Sequence, residues 1–424
     1  MPILCVQHVL VMFAAMVGSP LALARTLDLP SHQAGAMIAG CMLGCGVGTA
    51  LAASGLGALG SRLPIVLGIS SIFVAPIIEI ARQSDLGSVA GASLICGLLT
   101  GFASPLLARV RALLPGVVLG TILLVTGLTL LKIATNLLFA GSPSATGLGL
   151  FTLLLILVMA ASGSNLRIVA VFVGFLCGYS IAALAGMIDF TAVQRAPMFT
   201  APALLPFGIS WPSIFTLAIM LVCFIVAVVE TAIQSVAVAQ ICGVSGDTTR
   251  ARRAITADAF GSIVSALFGG LPLTSYSQNI GVITLTGVGS RAVVAGCGAI
   301  LIALSFLPSI SLGISLTPAP VIGGALLFMF GTIVILGIDL LGDLRKPRDR
   351  SIVTISLSLS LAVTFASHEQ LSILPDIARA LAGQGIVVGT IVAIVANIVL
   401  PGRAYIKDDV VEDRSRLGGS TEAG

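Results

Sequence analysis

The sequence predicts an all-α polytopic membrane protein with about fourteen transmembrane segments in two inverted seven-segment repeats. Three observations predict it. The first is composition. Hydrophobic residues make up 57% of the chain, charged residues only 9%, and the mean hydropathy is +1.14. A soluble globule carries about 25% charged residues. The second is length: 424 residues, at about 20 apolar residues per helical span, hold about 12 to 14 spans and leave little for a soluble domain. The third is a pair of matched interruptions, one in each half of the chain.

The apolar segments fall at about 3–24, 34–53, 64–81, 87–107, 115–137, 145–162 and 166–188 in the first half. In the second they fall at about 212–240, 254–269, 279–288, 291–312, 318–340, 351–367 and 384–400. Segments three and ten are short or interrupted. They hold the same place in their sets, and each follows a Leu-Pro pair, Leu63-Pro64 and Leu271-Pro272. Seven being odd, the second set runs through the membrane with opposite topology. Irregular polar backbone at bilayer depth is tolerated only where protein buries it or it lines a wet cavity. The stretch Leu271-Pro272-Leu273-Thr274-Ser275-Tyr276-Ser277-Gln278-Asn279 therefore points to a polar solute site near the midplane.

Segment one overlaps a signal-peptide-like Ala22-Leu23-Ala24. The absence of a basic n-region, and Gln7 and His8 in the apolar run, favour a transmembrane helix over a cleaved leader. With the N-terminus inside, sixteen of the 21 Lys and Arg residues fall in cytoplasmic loops or the tail, from Arg62 to Arg416. Arg25, Arg82, Lys132, Arg195 and Arg379 remain outside or at helix ends. This positive-inside bias sets the orientation, and nothing in it forms a nucleic-acid footprint. The eight cysteines lie scattered in apolar segments without a Cys-x-x-Cys pair, as packing residues. His8, His32 and His368 are too dispersed for a zinc site. The tail from Asp408 onward is polar and reads as disordered. No His-Glu-x-x-His or Gly-x-Ser-x-Gly pattern supports an intramembrane enzyme.

Glu230 lies deep in segment eight. A carboxylate at a helix centre costs about 2.5–3.5 kcal/mol on insertion scales. It is either a functional group facing a cavity or a neutral carboxyl held by backbone. Gln234 follows one turn later on the same face, either in the same cavity or as glue between helices. Asp258 is either a helix N-terminal carboxylate beside Arg250, Arg252 and Arg253, or a core coupling group. Asp339, Asp343 and Asp349 among Arg345, Lys346, Arg348 and Arg350 read as a solvated loop cluster. Glu230, Gln278 and Asn279 together suit a planar heterocycle. A carboxylate accepts from ring N–H groups, and a Gln amide matches the alternating C=O and N–H edge of an oxopurine. A helix starting near Gly281 would point its positive end at that site.

At these residues the chain becomes familiar. Gln278-Asn279-Ile280-Gly281, four residues, then Thr286-Gly287 resembles the signature of the nucleobase–ascorbate transporter family, in its xanthine/uric acid permease branch. Gln7-His8, the stretch 68–76, Glu230-Thr231 and Ala257-Asp258 match family landmarks in the same order. The resemblance implies a core domain at 1–110 and 206–312, a gate domain at 111–205 and 313–402, and a cytoplasmic tail at 403–424. It implies short strands in segments three and ten that meet at the substrate. Glu230 and Gln278 become the main ligands of the base. Ser71, Phe73, Tyr276 and Ser277 line it, Gln234 stands beside it, and Asn279 holds the signature in shape. His8 and Asp258 support coupling.

The resemblance further implies a plasma-membrane purine permease with a cytoplasmic N-terminus, working by proton symport, with sodium as the alternative coupling ion. Such a protein carries no other cofactor and pairs as a homodimer through the gate. The alternatives are a uracil or pyrimidine permease and an anion carrier of the same fold. Gln at position 278 matches the oxopurine branch, since uracil carriers have Glu there. The chain departs from the family where Gln234 replaces an acidic residue, and where Ser71 replaces an aromatic one.

Overall fold

The computed structural model describes residues 2–57, 59–110, 115–162, 166–366, 370 and 385–401. Arg111, His368, Arg379 and the tail at 403–424 lie outside the described residues. Among the described residues the regular structure is helical except for two three-residue strands. The first half runs α1 (Pro2–Thr26), α2 (Ser31–Ser54), β1 (Leu67–Ile69), a 3-10 turn (Ser71–Phe73), α3 (Val74–Gln83), α4 (Leu86–Val110), α5 (Gly116–Leu138), α6 (Pro143–Ala161), α7 (Leu166–Leu184) and the short α8 (Thr191–Gln194). The second half runs α9 (Ile214–Ile241), α10 (Thr248–Leu267), β2 (Leu273–Ser275), α11 (Ser277–Thr286), α12 (Arg291–Ser305), α13 (Pro308–Ser315), α14 (Ala319–Leu341), α15 (Pro347–Phe365) and α16 (Gly385–Val399).

Among the described residues seven helices are long and apolar enough to cross a membrane, or eight if α12 and α13 count as one span bent by 83°. The others fall short for visible reasons. α3 and α11 are only ten residues each because a strand takes the rest of their segments. α10 opens with Thr248, Thr249, Arg250, Arg252 and Arg253, so its apolar part fills only the second half. The bend in segment eleven falls at Leu307-Pro308, where proline starts a new helix but cannot continue the old one. α1 runs unbroken through Ala22, Leu23 and Ala24, all buried, which is the helix reading of that motif.

Two helix starts differ from the sequence expectation. α11 begins at Ser277, not near Gly281; its polar first turn hides it from hydropathy. α10 begins at Thr248, six residues before the apolar run, because the Asp247 carboxylate caps it by accepting from the Arg250 N–H at 2.8 Å. The expected loop cluster is also more than solvated charge. Arg345 and Asp343 pair in the open at 2.6 Å, but Arg348 reaches the carbonyls of Asn397 and Leu400 and closes the end of α16.

Packing repeats itself between the halves. α2 lies on α12 as α10 lies on α4, and α6 lies on α7 as α15 lies on α16. α2 and α10 pack against each other, as do α5 and α14. The α2–α10 contact is close because Gly44 faces Ser265 where a Cβ would overlap. The strands lie at the middle of this arrangement. β1 and β2 pair antiparallel, Leu67 with Ser275, Gly68 with Thr274 and Ile69 with Leu273.

Candidate functional site

Breaking two helices leaves backbone groups that hydrocarbon cannot satisfy. The pairing extends past the strands: Ser70 N donates to the Pro272 carbonyl at 3.1 Å, and Tyr276 N donates to the Val66 carbonyl at 2.9 Å. Neighbouring helices supply the rest. Thr49 on α2 accepts from Leu67 N at 3.0 Å, and Ser262 on α10 accepts from Leu273 N at 2.9 Å. The Ser265 hydroxyl donates to the Leu271 carbonyl at 2.7 Å. The polar residues of these helices are thus the partners that make extended backbone possible at this depth.

Glu230 on α9 sits beside that crossing. Its Oε2 accepts from the Thr274 hydroxyl at 3.2 Å, and its Oε1 accepts from the Gln234 side-chain amide at 3.2 Å. It forms part of the wall of two cavities. One, of about 60 Å³, is lined by Ser71, Thr274 and Tyr276 on the strand side and by Thr126 and Met329 opposite. The other, of about 160 Å³, is almost wholly apolar, with Ile233, Ile280 and Leu340 around Gln234. Leu123 of α5 and Leu336 of α14 border both. The carboxylate therefore stands at the seam between a chamber of mixed polarity and an apolar one. The α5–α14 pair closes the far side.

The expected site residues separate into those that reach these chambers and those that do not. Ser71, Glu230, Gln234 and Tyr276 line one or the other. Ser71 also shares a hydrogen bond with the Ser19 hydroxyl of α1 at 3.1 Å. Phe73 lines neither. The 3-10 turn advances three residues per revolution, so Phe73 points away from Ser71 and packs edge-on against Phe224, ring centroids 5.0 Å apart. In this structure its ring makes a core contact with α9.

Ser277 and Gln278 occupy the first turn of α11; their side chains lie outside the described ones. Asn279 is buried and reaches α1, with its amide donating to the His8 carbonyl at 3.2 Å and lying 3.0 Å from His8 Nδ1. Since that amide nitrogen only donates, Nδ1 accepts and the ring proton sits on Nε2. Asn279 and His8 stand behind the cavities, tying the half-helix to α1.

Asp258 lies three turns inside α10 and is 3% exposed, so the helix-end alternative falls to Asp247 instead. Its Oδ2 accepts from the Thr231 hydroxyl at 2.8 Å, while Oδ1 has no partner among the described residues. Sequence reasoning misses Thr274, Thr231 and the α5–α14 wall. Thr274 is within its reach: a strand repeats every two residues, so the face that carries Tyr276 carries Thr274 too.

The family model described as "Permease family", that of the xanthine and uracil permeases, matches residues 2–371. The chain belongs to this family. The permease is 31% identical to the xanthine permease of Bacillus subtilis over 93% of its own length and 92% of that protein's. It is 29% identical to the uric acid transporter UacT of Escherichia coli over 97% and 88%, and 31% identical to a putative purine permease of Clostridium perfringens over 93% and 89%. Among solved structures, the transmembrane domain of the cyanobacterial bicarbonate transporter BicA superposes with a TM-score of 0.61, covering 84% of this chain and 95% of that one at 14% identity. The murine anion transporter Slc26a9 gives 0.60, covering 93% and 68% at 14% identity. These likenesses establish the fold of the permease. It is a transporter and not an enzyme.

Proposed function

We propose that this permease imports purine nucleobases such as xanthine or uric acid across the plasma membrane by proton symport. The observation that carries the reading is Glu230, an acceptor carboxylate inside the membrane at the seam of two cavities. A small-anion carrier has no use for a fixed negative charge there, whereas a base with ring N–H donors does. The names of the relatives, xanthine and uric acid carriers, agree with it.

In this reading the chain forms fourteen segments in two inverted repeats of seven. The repeated packing of α2 on α12 and α10 on α4 supports that symmetry. Residues 1–110 and 206–312 act as a core that carries Glu230, Ser71 and Tyr276, with Gln278 as the second ligand of the base. Residues 111–205 and 313–402 act as a gate whose α5 and α14 face the ligand, and two gates pair in a homodimer. The N-terminus lies in the cytoplasm.

Labelled xanthine uptake in whole cells, challenged by a panel of bases with and without a protonophore, tests the reading. Xanthine or urate should compete far better than uracil, and the protonophore should abolish accumulation. Strong uracil transport without oxopurine competition would move the chain to the pyrimidine branch. Sodium-dependent uptake indifferent to the protonophore would replace the coupling ion.

A further inference from the structure

Glu230 and Asp258 lie on different helices, yet two hydroxyls join them. The Thr274 hydroxyl of β2 donates to Glu230 Oε2 at 3.2 Å, the Thr231 hydroxyl of α9 donates to Asp258 Oδ2 at 2.8 Å, and the two hydroxyl oxygens lie 3.4 Å apart. Thr231 is fully buried and Thr274 nearly so. Thr231 is moreover held in place, because its oxygen accepts from Ser275 N at 3.3 Å. Glu230 touches the cavities, whereas Asp258 touches neither. A carboxyl that lines neither of these cavities, joined by hydroxyls to one that lines both, is arranged to pass a proton and not to bind a ligand.

We propose that Thr231 and Thr274 form a proton relay between Asp258 and the ligand-facing Glu230, an inference that rests on the proton-symport reading. With the proton on Asp258, the Thr231 hydroxyl turns from Asp258 toward Thr274, and the chain runs Asp258 O–H to Thr231, Thr231 O–H to Thr274, and Thr274 O–H to the Glu230 carboxylate. Transfer breaks those three O–H bonds and forms three others, on Thr231, Thr274 and Glu230. The proton count is unchanged, Asp258 ends as the carboxylate, and every hydroxyl has reversed its direction. A departing purine that gives up its hydrogen bonds to Glu230 leaves a carboxylate in low dielectric, which draws the proton forward. Binding draws it back. Among the described residues, the titratable groups that interact with the pair are Cys45 of α2, beside Asp258, and the Tyr276 phenol, beside Glu230, and neither is basic.

The test uses Thr231→Val and Thr274→Val, which keep shape and remove the hydroxyl, with Thr231→Ser and Thr274→Ser as the variants that restore it. Two rates are read in proteoliposomes of the whole chain. One is exchange of labelled for unlabelled xanthine, which needs no net proton movement; the other is accumulation driven by an imposed pH gradient. The expected result is exchange within about threefold of the parent in Thr231→Val, whose side chain lines neither cavity, with gradient-driven accumulation lowered by about tenfold or more in both valine variants and restored in both serine variants. Valine variants that accumulate xanthine like the parent overturn the relay and leave the symport reading intact. Loss of exchange together with accumulation, unrescued by serine, marks the threonines as structural and also overturns it. A parent that ignores the pH gradient overturns relay and symport together.

Discussion

The Tyr276 hydroxyl reaches across the strand crossing to the Ile69 carbonyl, 2.8 Å away, with its ring lying over the Cα of Gly68. One side chain of the second half thereby fastens the break of the first. It fills the space a Cβ at 68 would need, and it satisfies the carbonyl at the end of β1.

Tyr276→Phe keeps the ring and removes the donor. Leaving a buried carbonyl unsatisfied costs about 1–3 kcal/mol, so the variant should melt at a lower temperature in detergent while still reaching the membrane. Gly68→Val puts a branched side chain into the tyrosine ring and should prevent accumulation of folded protein. Fluorescence-detected size exclusion distinguishes the two. A Gly68→Val protein as stable as the parent would show that the ring is free to move.

Glu230→Gln removes the charge and one acceptor oxygen. A hydrogen bond to a charged group is worth about 1.5–3 kcal/mol, so xanthine uptake should fall about 10- to 100-fold at normal surface expression. Glu230→Asp, one methylene shorter, should retain part of the activity. Normal affinity in the glutamine variant would assign the carboxyl a structural role.

Gln278→Glu replaces a group that both donates and accepts with one that only accepts. Against an oxopurine edge, a carbonyl then faces a carboxylate, and competition by urate and xanthine should weaken by about tenfold or more. Uracil should lose less. An unchanged competition profile would remove Gln278 from the specificity site.

Asp258 and Asp247 share a helix and separate two roles. Asp258→Asn should bind xanthine and fail to accumulate it, since the amide keeps size but holds no exchangeable charge. Asp247→Ala removes only a cap and should lower stability by about 1 kcal/mol while leaving the accumulation ratio intact. Equal accumulation in Asp258→Asn and the parent would move coupling to Glu230 or His8.

Much of this architecture is legible in the residues. Leu63-Pro64 and Leu271-Pro272 mark the two breaks because proline cannot extend a helix and polar residues follow where lipid would reject them. Glu230 stands out because insertion scales penalise it. Hydropathy fails where a helix begins with polar residues, so it places the starts of α10 and α11 several residues late, although Asp247 ahead of Thr248 is a recognisable cap. The direction of Phe73 is not legible. It depends on whether three residues wind as a tight turn or extend, and the sequence Ser-Ile-Phe allows both. The Thr231–Asp258 contact joins residues that only tertiary packing brings together.

The pairing of β1 with β2 also governs how the protein is made. A ribosome delivers β1 to the translocon well before β2 has been synthesised, so the amides of the first break meet the bilayer without their strand partner. Thr49 can shield Leu67 in the interval, but the carbonyl that awaits Tyr276 stays exposed. The nascent first half is therefore an unfinished object, open to quality-control proteases until the second half threads in and closes the crossing. Separately expressed halves should survive only when both are made together, each serving as the other's chaperone.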